Sequence, residues 1–115
     1  MSAETGRQAE QVAADYLEDN GFEILAKNWR NRWCEIDIVA KKDRSIHFVE
    51  VKFRRSSKYG SALDYVTKKK SKQMEFAALQ WVGEHNWADD YQLDVVAVEG
   101  TVKPKITFIP NATGF

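Results

Sequence analysis

The stretch Ile46-His47-Phe48-Val49-Glu50-Val51-Lys52-Phe53, read together with Glu35-Ile36-Asp37-Ile38-Val39-Ala40 just before it, decides the architecture. Both runs are rich in β-branched or aromatic residues, and both are interrupted by acids, which strands ordinarily disfavour. Residues two apart in a strand share a face. Glu50 and Lys52 therefore project together with Ile46 and Phe48, and Val49, Val51 and Phe53 project the other way. Lys41 to Ser45 supply a polar turn, so the two runs read as an antiparallel hairpin. With Asp43-Arg44 at the tip, the register sets Asp37 opposite Glu50 and Glu35 opposite Lys52. Three acids and a lysine then crowd one face, and a slip of one residue would turn all of them over.

Outward from the hairpin, Thr5 to Asn20 carries Val12, Tyr16 and Leu17, with Ala9, Ala13 and Ala14 between them, at the spacing of an amphipathic helix. Gly21 is its expected stop. Phe22, Ile24 and Leu25 begin a strand that runs toward Asn28-Trp29-Arg30. Beyond the hairpin, Val66, Met74, Ala77, Ala78, Trp81 and Val82 predict a helix within Ser61 to Glu84, most strongly from Ser71 onward, because Lys68 to Lys72 make its early turns polar. Leu93 to Val98 is a β-branched strand, Glu99 to Pro104 a turn region, and Lys105 to Ile109 a last strand ended by Pro110. The order is α-β-β-β-α-β-β. With no repeat, low-complexity tract or linker, residues 1–115 read as one domain with one core.

Apolar residues make up 43% of the chain and charged ones 30%, the mixture of a soluble globular protein. No signal-peptide pattern opens it and no apolar run is long enough to span a bilayer, so neither secretion nor membrane insertion is expected. The lone Cys34 excludes an internal disulfide, and the usual structural zinc pattern is missing. A reducing cytoplasm is the expected address. Basic and acidic residues balance at 17 each, so global charge gives no support to nucleic-acid binding. Distribution says more. Lys52, Arg54, Arg55, Lys58, Lys68, Lys69, Lys70 and Lys72 stand against Asp64 alone in that stretch, which predicts one basic side on a neutral molecule.

Two carboxylates on adjacent strands repel one another unless a cation lies between them. Mg²⁺ or Mn²⁺ suits that place, since such hard ions take oxygen ligands from one or two carboxylates, water and substrate phosphate. Asp37 and Glu50 fit as the carboxylates, and the Val51 carbonyl as a further oxygen. A bound ion would make its water a better nucleophile toward a phosphodiester, and Lys52 would orient that water or offset charge on the phosphate. The plainer alternative is a solvated polar face holding Glu35, Asp37, Glu50 and Lys52, which accounts for any one of them more readily than for the set.

One acid followed by Val49-Glu50-Val51-Lys52 resembles the signature of the PD-(D/E)XK nuclease superfamily, which includes restriction endonucleases and archaeal Holliday-junction resolvases. Nearly the whole chain is similar to the YraN-like family of bacterial predicted nucleases. That likeness rests on Gly6, Ala9-Glu10, Asn28-Trp29-Arg30, Glu35-Ile36-Asp37, Phe48 to Lys52 with Arg54, Lys70, Leu93 to Val96, and Ile109 to Ala112. The resemblance implies an α/β fold with a restriction endonuclease-like αβββαβ core, its central mixed sheet flanked by helices. It also implies a metal-dependent DNA nuclease site at Asp37, Glu50 and Lys52. Glu10 looks like the extra acid that resolvase-like members bring to the metal. Lys70, with Lys68, Lys69 and Lys72, would touch phosphates, and Arg30 and Arg54 belong to the same expected nucleic-acid surface. The sequence departs from the family in having Cys34 where glycine is usual, and Gln92-Leu93 in place of an arginine and an aromatic.

Three functions compete. The first is a metal-dependent endonuclease acting on structured DNA such as junctions, working by analogy as a homodimer that makes two symmetric cuts. The second is a DNA-binding or scaffold module that keeps the fold without turnover. The third is an interaction domain with no nucleic-acid partner. Trp29 and Trp33 lie near the acids and could stack on bases, although core or edge packing is the commoner use of such residues. His47 points away from Glu50 and is not expected to be a ligand, and His85 is expected in a polar loop.

Overall fold

A computed structural model describes residues 3–55 and 68–112, with side chains from Gly6 onward. Its elements are α1 (Ala3–Asp19), β1 (Glu23–Arg30), β2 (Glu35–Lys42), β3 (Ser45–Arg54), α2 (Lys68–His85), β4 (Tyr91–Glu99) and β5 (Lys105–Ile109). The strands form one sheet in the order β1-β2-β3-β4-β5. Neighbours run antiparallel except β3 and β4, which are parallel and are joined through α2. This is the mixed sheet with flanking helices that the sequence predicts, and it is consistent with a restriction endonuclease-like core.

Each face of the sheet is covered by one helix. Ala9, Ala13, Ala14 and Leu17 of α1 pack on Ile38, Ala40, Val49, Val96 and Val98. On the opposite face Met74, Ala77, Ala78 and Trp81 of α2 meet Val39, Ile46, Phe48, Leu93 and Val95. Small alanines let α1 approach the strands closely, and the Phe48 and Trp81 rings meet edge to face at 5.5 Å between centroids. Strand β4 is buried from Leu93 to Glu99 because both of its faces are covered, which explains its near-continuous apolar run. Asp94, fully buried, and Glu99 at the strand's end are the acids in it. Asp94 is held on several sides. Its Oδ2 lies 2.6 Å from His47 Nδ1, and its Oδ1 accepts hydrogen bonds from Gln92 Nε2 and the Asn111 amide.

Both helices end by the same device. At α1, Phe22 N donates to Leu17 O and Gly21 N to Glu18 O, with Gly21 at φ +89°, which is a Schellman cap. At α2, Trp87 N donates to Val82 O and Asn86 takes the left-handed conformation. Helix α2 is described from Lys68, so the polar stretch Lys68 to Lys72 is helical, and the predicted helical part over 61–67 lies outside the described residues. Its end differs too, since His85 closes the helix, its Nδ1 donating to Trp81 O at 2.9 Å and its ring stacking on the Trp81 ring, rather than standing in a polar loop.

Candidate active site

The β2–β3 turn fixes the site. Asp43, at φ +56°, and Arg44 form its tip, and the ladder runs from Lys42↔Ser45 to Ile38↔Val49 in the predicted register. Beyond that pair the ladder stops. Asp37 and Glu50 are therefore not ladder partners. Instead, Val51 N donates to Asp37 Oδ2 at 2.8 Å, so a carboxylate occupies the place where strand pairing would have continued. On its other side β3 stays paired with β4 as far as Arg54↔Glu99. Ile36, only two residues from Ile38, packs in the α2-side core rather than with Ile38 on the α1 side. The regular alternation of β2 is thus lost around Asp37.

Asp37 is pushed up to about 7. Burial is the largest cause and the charge of Glu50 the next. The Val51 amide works against both, Glu10 adds a smaller upward push, and Lys70 pulls down. Glu10 on α1 is therefore close enough to Asp37 to act on it electrostatically. Glu50, at 14% side-chain exposure, receives two cations on one oxygen: Lys70 Nζ at 2.9 Å and Lys52 Nζ at 3.2 Å from Oε1. Lys70 comes from α2, close to where its described residues begin.

Glu35 is exposed and pairs in register with Arg30, itself exposed, at the end of β1. It lines the mouth of the site beside Glu50. Lys68, Lys69 and Lys72 are exposed on α2, and Arg54 is half-buried at the end of β3. Lys58 of the predicted basic run lies outside the described residues. His47 faces away from Glu50 toward Asp94, as the strand alternation predicts. Among the described residues no three of His, Cys, Asp and Glu converge as a ready-made metal cluster. An ion here would depend on Asp37 and Glu50 together with main-chain or substrate oxygens.

Between α2 and the tip of the β1–β2 hairpin lies an open cleft of about 560 Å³, lined by Trp33, Cys34, Glu50, Lys69, Lys72 and Phe76 among others. Asn31 builds the hairpin side of it. Asn31 Oδ1 accepts from Trp33 N, Cys34 N and the Cys34 thiol, and its Nδ2 donates to Gln80 and Glu84 on α2. Burial, with the nearby Glu84 charge, pushes the Cys34 thiol up. Phe76 and Asn31 escape a reading of the strand motifs. The spacing of Phe76 from Lys69, Lys72 and Gln73, which puts all four on one helix face, is the sequence signal for it.

A sequence profile described as "Uncharacterised protein family UPF0102" matches residues 9–98, which takes in the hairpin, the acids, α2 and β4. The chain belongs to this family. A UPF0102 protein of Sulfurihydrogenibium sp. is 43% identical, over 83% of this chain and 84% of its own length. One from Trichlorobacter lovleyi is 43% identical over 93% of this chain and 87% of its own. A third, from Syntrophomonas wolfei, is 38% identical over 97% and 99%. UPF0102 membership thus extends over nearly the whole fold. Among the described residues of this UPF0102 chain, no helix is long and apolar enough to cross a membrane.

Proposed function

We propose that the chain is a metal-dependent endonuclease that hydrolyses DNA phosphodiesters, with branched DNA as its substrate class. The observation that carries this reading is the placement of Asp37 and Glu50 at the end of the β2–β3 ladder. There, burial and mutual repulsion push Asp37 up to about 7. Two neighbouring, partly buried carboxylates, one of them costly to ionise beside the other, are what a hard dication stabilises. The donor set is all oxygen, which fits Mg²⁺ or Mn²⁺ better than a softer metal. Asp37, Glu50 and the Val51 carbonyl would hold the ion, with Glu10 as a further acid and Glu35 at the mouth. When bound, the ion supplies Lewis acidity and an acidified water.

The chain's own side chains supply the rest. Lys52 and Lys70 balance Glu50 now, and a phosphate entering beside it gives both ammonium groups a second anion to hold. Lys68, Lys69, Lys70 and Lys72 of α2 stand close together in the chain with no acid among them, so their charges repel one another. A nucleic-acid backbone relieves that repulsion, with Arg30 and Arg54 as further contacts. A homodimer, and a cytoplasmic setting that keeps Cys34 reduced, complete the proposal.

The test is calorimetric titration of Mg²⁺ and Mn²⁺ into wild type and Asp37→Ala, beside incubation with labelled single-stranded, duplex, flap and junction DNA. Metal binding and cleavage that disappear together in the variant support the nuclease. DNA binding without metal uptake or cleavage makes the chain a binding module instead. Light scattering tests the dimer.

A further inference from the structure

The cleft beside Glu50 is walled by aromatic as well as basic side chains, and the wall is built in a definite way. Trp33 is 67% exposed and Phe76 is 46% exposed, although both are large apolar residues whose exposure costs hydration free energy. Trp33 is held in that exposed position. Asn31 clasps the hairpin tip through the amides of Trp33 and Cys34 and ties it to Gln80 and Glu84 of α2. Opposite, Lys69, Lys72, Gln73 and Phe76 form one stripe on α2, next to the stripe that faces the core. Met74 and Glu50 also line the cleft, so it reaches Glu50. Arg32 lies 5.4 Å from the centre of the Trp33 ring and adds positive charge there.

A duplex keeps its bases stacked inside and offers a protein chiefly phosphates and groove edges. Aromatic platforms alternating with lysines match a strand whose bases are free. The volume, about 560 Å³, is within the range of sites that enclose a small organic ligand. We propose that this cleft binds an unpaired segment of DNA, with Trp33 and Phe76 stacking on bases and Lys69 and Lys72 contacting phosphates, and so leads the adjoining phosphodiester to Asp37 and Glu50. The last clause rests on the nuclease reading above. The binding itself does not.

The test is fluorescence anisotropy in EDTA, using a labelled oligothymidylate and a labelled duplex of the same length, with wild type, Trp33→Ala and Phe76→Ala. Both side chains are largely solvent-exposed, and circular dichroism verifies folding. The expected result is tighter binding of the single strand by wild type. Each substitution should weaken it about tenfold to a hundredfold, the size of one lost stacking contact, and leave duplex affinity unchanged. Unchanged single-strand affinity in both variants, equal losses on duplex, or no DNA binding at all overturns the proposal. Single-strand affinity unchanged in both variants, in a chain that cleaves DNA once Mn²⁺ replaces EDTA, would sink the cleft proposal and spare the nuclease. Trp33-dependent single-strand binding by a chain that never cleaves would do the reverse.

Discussion

Asp37 Oδ2 accepts the amide hydrogen of Val51 at 2.8 Å, where the pairing of β2 with β3 has already ended. The bond satisfies a main-chain donor that strand pairing would otherwise have used, and it draws the carboxylate inward next to Glu50. A structural need and a chemical one thus meet in one side chain, which makes Asp37 expensive to keep ionised.

That expense has a sign. The folded value of Asp37, about 7, lies above its unfolded value of about 3.9, so the native state binds more protons between these limits. Metal-free stability should therefore fall as pH rises from about 4 to 7 and level off above, by an amount on the order of a few kcal/mol. Urea unfolding in EDTA at successive pH values checks it. Asp37→Asn should flatten the profile, and a variant with the wild-type slope would assign the effect to another group.

Added Mn²⁺ should act in the opposite direction. At a hundred times its dissociation constant, an ion bound only by the native state raises stability by about 2.7 kcal/mol. The gain should be present near pH 8 and largely lost near pH 5, where protons compete for Asp37. Thermal melts of wild type and Glu50→Gln with and without the ion decide this, and the variant should gain nothing.

Lys70→Ala should tighten Mn²⁺ binding and weaken DNA binding. Its ammonium, 2.9 Å from Glu50 Oε1, competes with a cation for the same oxygen. Removing one unit charge several Å away, at an effective dielectric constant of about 20, corresponds to roughly tenfold or more in metal affinity. Calorimetry reads the first effect and anisotropy the second. Metal affinity that fell would place the ion away from Glu50.

Asp94→Ala should destabilise the fold by about 3 kcal/mol or more, because it strands His47, Gln92 Nε2 and the Asn111 amide around a fully buried void. Denaturant unfolding measures it. A loss below about 1 kcal/mol would mean that water replaces the carboxylate.

Much of this was legible in the residues. Asp43-Arg44 fixed the hairpin register through turn chemistry, and the alternation along β3 placed Glu50 and Lys52 opposite Val49 and Val51 correctly. Gly21 marked the end of α1 because a Schellman cap needs a left-handed residue. The expected pairing of Asp37 with Glu50 was not borne out, since nothing local in the sequence says that a ladder will stop and a side chain take over its donor. The Asn31 clasp was equally hidden, as it depends on α2 lying against a hairpin tip some fifty residues away in the chain. His85 looked like a loop residue in its polar neighbourhood, but it stacks on Trp81 one turn earlier.

The one-sided support of β3 has a mechanical consequence. Past Val49 the strand is a cantilever, braced along β4 to Arg54↔Glu99 and released from β2. The spacing between the two carboxylates can thus be altered by giving up the Val51–Asp37 hydrogen bond, without dismantling any rung of the sheet. One hydrogen bond, and no part of the frame, thus sets the gape between the two acids.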